Sequence, residues 1–301
     1  MTLLRLAHFS DPHLGISLGP WLASPWLGKR SFSRLSWTRG RKALQRPEVL
    51  AAAIADIRTH APQHIAITGD VTNFSLPAEF RAAAEWFSSL GDPATVSVIP
   101  GNHDALVPVP WANGLAHWQP WMSSDTPGLD VFPTLRIRQG VALIGLSTAV
   151  PTAPLLASGS LDDAQLHWLA SQLPLLKQQG LFRLVMLHHP PADGVVSARK
   201  ALKNRAAFRA VLKQHGAELV LHGHSRDTRF DPLQGPQGLI ASFGLPSISA
   251  LPNPKDEGAR WHLLEIEKQA DSWQLGVKVR VLDAQRTGFE TAGCYRLLIN
   301  S

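Results

Sequence analysis

Five short polar motifs, each placed directly after an apolar run, constrain this chain more than any other feature. Ser10-Asp11-Pro12-His13 follows residues 3–9, and Thr68-Gly69-Asp70 follows residues 65–67. Gly101-Asn102-His103-Asp104 follows residues 94–99, His188-His189-Pro190-Pro191 follows residues 182–187, and Gly223-His224 follows residues 218–221. Apolar, β-branched runs closed by Gly or Pro read as buried strands ending in tight turns. Between the first three runs, residues 47–60 and 77–90 carry helical periodicity. Val49, Leu50, Ala53, Ile54 and Ile57 share one face of the first, and Phe80, Ala84 and Phe87 share one face of the second. Alternating strand and helix predicts a largely parallel sheet, whose sites lie beyond the carboxyl ends of its strands. All five motifs fall at such ends. Gly101 is expected to permit a positive φ there, so that Asn102, His103 and Asp104 point to one place.

Asp11, His13, Asp70, Asn102, His188 and His224 offer oxygen and nitrogen donors without a thiolate. That set suits borderline or hard divalent cations such as Mn, Fe or Zn. Carboxylates converging without a cation would leave like charges unpaired.

The ordered motifs resemble the calcineurin-like metallophosphoesterase family over residues 3–249. The resemblance implies a layered α-β-β-α sandwich of two mixed sheets with flanking helices. It implies two metal ions: Asp11 and His13 hold one, Asp70 bridges, and Asn102, His188 and His224 hold the other. His188 is preferred to His189 because the family ligand precedes one residue and then a proline, as in His188-His189-Pro190. Two cations about 3.5–4 Å apart activate water, and the resulting hydroxide attacks phosphorus in line with the leaving group. His103 is placed to stabilise charge or protonate the leaving oxygen, with Asp104 orienting it. The implied activity is hydrolysis of a phosphodiester or pyrophosphate ester; cyclic-nucleotide phosphodiesterase-like and lipid-precursor pyrophosphatase-like members share these motifs.

One position departs from the pattern. The family reads Gly-His-x-His where this chain reads Gly223-His224-Ser225-Arg226. A guanidinium has no free lone pair and stays charged, so Arg226 is not a ligand. Three outcomes stay open: a weakened first metal site, replacement by His222 or Asp227, or direct binding of the substrate phosphate by Arg226. The last two classes of reading diverge further. A degenerate relative that only binds phosphate ligands or membranes rests on Arg226, and a nuclease rests on the basic loop.

Composition bears on partners. The chain carries a net charge of +6 over 301 residues. No acidic residue lies between Asp11 and Glu48, whereas Lys29, Arg30, Arg34, Arg39, Arg41, Lys42 and Arg46 do. These seven account for more than the whole net charge, so the basic character is local. Residues 15–46 read as a long insertion holding Trp21, Trp26, Phe32 and Trp37. Its readings are a basic cover loop packed on the domain, a lid meeting an anionic membrane surface or lipid substrate, and, less favoured, a nucleic-acid contact. The single Cys294 excludes an internal disulfide. No run reaches membrane-spanning length and the start is a strand rather than a leader, so a cytoplasmic protein, peripheral at the inner membrane face at most, is expected.

Residues 161–174 read as a helix capped by Ser160 and ended or kinked at Pro174, and residues 198–215 as one basic helix. The strand-rich part from about 238 to 301 is expected to build a second sheet on the first. The whole is expected to be a single domain, 1–301.

Overall fold

The computed structural model describes residues 3–15, 28–126, 131–254 and 256–300. Strands β1 (Leu3–Phe9), β2 (His64–Thr68) and β3 (Val96–Ile99) run parallel, joined by helices α2 (Pro47–Thr59) and α3 (Pro77–Leu90). Pro47 and Pro77 occupy the first helical turns, where a missing N–H breaks no bond. The apolar faces read from the sequence are the buried ones. Ala53, Ile57, Phe80 and Phe87 pack beneath the sheet with Trp118 and Trp121. The buried stripe of α3 includes Ala83, with Ala84 only partly buried.

A second sheet holds β4 (Thr134–Arg138), β5 (Val141–Gly145), β6 (Phe182–Met186), β7 (Leu219–His222), β8 (Arg229–Phe230) and β10 (Gly238–Gly244), with β9 (Leu233–Gly235) on β10. β4 and β5 form a hairpin around Gln139-Gly140, both at positive φ as a tight two-residue turn requires. Helices α4 (Asp163–Gln178) and α5 (Arg205–His215) cover its outer face, with Leu169, Leu173, Phe208 and Leu212 fully buried. Between the sheets lies a third apolar layer that includes Leu6, Ile99, Leu143, Phe182, Leu221 and Leu264. The layers therefore stack α-β-β-α, as expected.

Three local expectations change. The terminal strands β11 (Arg260–Lys268), β12 (Ser272–Leu282) and β13 (Phe289–Asn300) do not form the second sheet. They extend the first, because β11 pairs antiparallel with β1. Helix α4 is capped by Asp162, whose Oδ1 accepts from Gln165 N at 2.8 Å, and it runs through Pro174 without ending. Residues 198–215 split into a single turn, Ala198–Lys200, and α5. The turn brings Arg199 and Lys200 to the cleft described below.

The expected insertion is helical where it is described. Helix α1 (Lys29–Ser36) continues through a wide turn, Trp37–Arg41, and a last turn, Lys42–Leu44. Arg30 clamps it to the body by donating to Phe74 O at 3.0 Å and Ser75 O at 2.8 Å. Trp21 and Trp26 lie outside the described residues.

Several histidines are sealed inside. His64 opens β2, with Nε2 2.9 Å from Ser97 Oγ on β3, and His262 on β11 is 1 % exposed. Burial, with Arg136 and Arg138 adding to it, pushes the His64 imidazole down to about 3; burial and Arg260 do the same to His262.

Candidate metal centre

All five motif-bearing strands are parallel within their sheets and end at the same edge of the sandwich. β1, β2 and β3 deliver Asp11 and His13, Asp70, and Asn102 to Asp104 from one sheet. β6 and β7 deliver His188 and His224 from the other. Two tertiary contacts bring the loops together: Asp11 N donates to Gly69 O at 3.0 Å, and His13 N to Asp70 O at 3.1 Å.

The loops are held in sparsely populated backbone conformations. Asp11, His13, Asp70, His224 and Arg226 all have φ between 42° and 70°. Such strain collects where a site needs a geometry that relaxed turns do not give. Gly101 works differently from the expectation, since its φ is not positive. A Cβ there would strike Asp70 Oδ1 and the Asp70 amide nitrogen. Glycine is needed for close approach, so that the β3 loop can lie on the Asp70 carboxylate. Gly223 has the same task against Ser10 and Asp11.

Each imidazole is oriented by a main-chain carbonyl. His188 Nδ1 lies 2.7 Å from Thr68 O, His13 Nδ1 3.4 Å from Thr72 O, His103 Nδ1 2.9 Å from Asn73 O, and His224 Nε2 3.0 Å from Lys200 O. A carbonyl only accepts, so each of these nitrogens carries hydrogen and the other ring nitrogen is the one that can offer a lone pair to a cation once it has no proton. Those second nitrogens converge. His188 Nε2 is 3.4 Å from Asp70 Oδ2 and 3.2 Å from Asn102 Oδ1. His13 Nε2 is 4.0 Å from Asp70 Oδ2 and 3.9 Å from Asp11 Oδ1. The donor atoms of His13, Asp70 and His103 lie within 4.8 Å of one another, as do those of Asp70, His188 and His224. Asp70 belongs to both sets. Imidazoles fixed by outer hydrogen bonds, with their second nitrogens aimed at buried carboxylates, fit divalent cations.

The charges agree with this fit. Burial opposes ionisation of Asp70, but His188, His103 and His13 hold its carboxyl well below the usual range. His188 is pushed up to about 9: burial alone would lower it, and Asp70 and Asp11 overcome that. Burial, reinforced by Asp70, raises Asp11 to about 6 and Asp104 to about 7. A cation among them removes that conflict.

Other expected residues take particular places. Asp104 reaches the site through the backbone: its carboxylate accepts from Gly101 N at 2.8 Å and Thr72 N at 2.7 Å, tying the β2 and β3 loops, while Asn73 O holds the His103 ring. His189 has Nδ1 2.7 Å from Thr148 Oγ1 and Nε2 3.1 Å from Ala157 O, both away from the donor sets. His222 is buried against Gly244 with Nδ1 3.3 Å from Gly223 O, and neither it nor Asp227 is among the described residues lining the cleft. The structure thus arranges no replacement by either. Arg226 lines the rim, half-exposed, with Nε 3.8 Å from Asp256 Oδ1.

The sequence reading passed over the groups that hold the ligands. Main-chain carbonyls of Thr68, Thr72, Asn73 and Lys200 carry no side-chain signature. Glu79 does carry one, as the acid in the first turn after Pro77. It is buried and accepts from the amides of Asn73 at 2.7 Å and Leu76 at 2.8 Å, fixing the loop that orients His103. The donor sets open into a cleft of about 410 Å³, whose mouth carries Lys29, Arg199, Lys200, Phe32, Leu155 and Leu156.

A four-layer sandwich whose strand ends from both sheets pool carboxylate and imidazole donors in one open cleft is the frame of a metal-dependent phosphoester hydrolase. The model of the calcineurin-like phosphoesterase family matches residues 4–225, and this chain belongs to that family. A probable cyclic nucleotide phosphodiesterase of a Synechococcus strain is 29% identical over 230 residues, which span 74% of this chain and 79% of that protein. Among solved structures, a dimetal phosphatase from Danio rerio superposes with a TM-score of 0.60 at 14% identity, covering 97% of this chain and 99% of that one. A purple acid phosphatase from yellow lupin seeds gives 0.63 at 11% identity over 99% of this chain, which spans 54% of the lupin chain. At such identities these two likenesses speak for the fold. Family membership implies divalent metal ions.

Proposed function

We propose that the protein hydrolyses a phosphodiester with two divalent cations held by the two donor sets that share Asp70. The observation that carries this reading is the common aim of the carbonyl-fixed imidazoles at one buried carboxylate. His13 and Asp70, with Asp11 beside them, would hold one ion; Asp70, Asn102, His188 and His224 would hold the other. Bound there, the ions supply Lewis acidity toward phosphoryl oxygens and an activated water. His103 Nε2 faces the cleft because Nδ1 is held by Asn73 O, and in its protonated form it gives a proton to the departing alkoxide. Glu79 and Asp104 keep that ring in place through the loops they tie. Arg226 and the rim cations attract the anionic substrate and hold its non-reacting part. The name of the Synechococcus relative supports a cyclic nucleotide as one substrate to try.

A pyrophosphate substrate is the second reading; what favours it is that Lys29, Arg199 and Lys200 line the same cleft as the donor residues and carry the charge to neutralise a second phosphate. The test is hydrolysis of a chromogenic phosphodiester by protein stripped with EDTA and reloaded with Mn²⁺, Fe²⁺ or Zn²⁺. Turnover that depends on added metal and is lost in Asn102→Ala supports the proposal. Absence of turnover with every metal, in protein shown to have bound it, overturns it and leaves a ligand-binding role.

A further inference from the structure

The mouth of the cleft is built for a surface as well as for a soluble substrate. Of α1, Phe32 is 54 % exposed and Leu35 47 %, and they lie three residues apart on one helical face. Across the mouth stand Leu155, 71 % exposed, and Leu156, 37 % exposed. Leu155 has a φ of 67°, a conformation that disfavours any residue with a Cβ and that no burial of its side chain offsets.

Hydrogen bonds tie the two lips together. Lys29 Nζ donates to Thr152 Oγ1 at 2.5 Å, and Thr152 Oγ1 donates to Leu156 O at 2.8 Å. The Arg30 clamp fixes the other side of α1 to the β2–α3 loop. Cations flank this apolar lip: Lys29 on α1 next to the Phe32 face, and Arg199 and Lys200 on the turn that lines the same cleft, while no acidic residue occurs from Pro12 to Pro47. Exposed apolar side chains flanked by Lys and Arg match an anionic bilayer, where the apolar groups enter the headgroup boundary and the cations meet lipid phosphates. Nucleic acid would use the cations and leave the leucines idle.

We infer that α1 and the Leu155–Leu156 loop dock the protein on an anionic membrane surface, with the metal cleft opening toward the lipid. The inference stands apart from the hydrolytic reading, because it is tested by binding alone. Full-length protein is sedimented with vesicles of phosphatidylcholine, and with vesicles of phosphatidylcholine and phosphatidylglycerol in equal parts. The native chain is expected to sediment with the mixed vesicles only, and salt is expected to release it. Leu35→Ser with Leu155→Ser is expected to weaken binding about tenfold, and Arg199→Glu about fivefold or more. Leu35 and Leu155 are exposed, so the variants keep the fold, which an unchanged melting temperature verifies. No sedimentation with mixed vesicles, equal binding to neutral ones, or binding indifferent to the leucine variants overturns the inference. So does a dimer in solution that the leucine variants dissolve, since a second copy would then cover the lips.

Discussion

Gly101→Ala is the sharpest test of how the metal centre is assembled. The added Cβ falls on Asp70 Oδ1 and the Asp70 amide, with Asp70 Cγ at 2.8 Å. The Asp70 backbone has nowhere to go, because its carbonyl accepts from His13 N and its φ is already 54°. The carboxylate must therefore turn, giving up the hydrogen bond that His103 N donates to Oδ1 at 2.7 Å. A hydrogen bond to a charged group is worth about 1.5–3 kcal/mol, and over-packing adds about 1–3 kcal/mol. The sum, about 2.5–6 kcal/mol, is a large share of a typical stability of about 5–15 kcal/mol. At about 2 °C per kcal/mol for a chain of this size, the melting temperature falls about 5–12 °C. Because Asp70 belongs to both donor sets, hydrolysis should fall at least about 100-fold, as misplacing a reacting group by about 1 Å does. Gly293→Ala is the control: no atom lies within 4 Å of its added Cβ, and a change within about 0.5 kcal/mol is expected. Calorimetry and metal-dependent turnover are measured on both variants. A Gly101→Ala protein that melts and turns over like Gly293→Ala would refute the close approach of the β3 loop to Asp70.

Three further outcomes follow from the same geometry. Saturating Mn²⁺ should raise the melting temperature of EDTA-treated protein by several degrees, since ligand at about 100 times its Kd stabilises by about 2.7 kcal/mol; scanning calorimetry of His188→Ala should show no such rise. Arg226→His should lower the Mn²⁺ concentration at half-maximal turnover with little change in stability, because the half-exposed pair with Asp256 is worth about 0–1 kcal/mol; an unchanged titration would show that position 226 does not reach a cation. Acid should unfold the metal-free protein early. His64 and His262 are neutral in the fold down to about 3 and take a proton near 6.5 once unfolded, so the unfolded state binds more protons below pH 6.5 and stability falls as pH falls. Each should contribute a loss of about 2 kcal/mol by pH 5 and none above pH 7.5, and urea unfolding of His64→Gln at pH 8 and pH 5 should show a smaller gap than the native chain.

The sequence by itself determined the architecture at the level of repeating units. Apolar runs closed by turn residues fixed β1, β2, β3, β6 and β7, and helical periodicity fixed which faces of α2 and α3 are buried, because these signals are local. It also named Asp11, His13, Asp70, Asn102, His103, His188 and His224, since side chains that can take a cation are recognisable one by one. Tertiary structure alone decided which strand neighbours which. The last three strands joined the first sheet because β11 pairs with β1 more than 250 residues away, and no local pattern encodes that register. It decided, too, what orients each ring: the carbonyls of Thr68, Thr72, Asn73 and Lys200 are present in every residue and acquire meaning only through position. Gly101 shows the same division. Its residue type was readable as necessary, but whether for φ or for space depended on a carboxylate from another loop. Arg226 likewise was visible as a departure, while its place at the rim beside Asp256 is a matter of how the β7 loop folds back on the cleft.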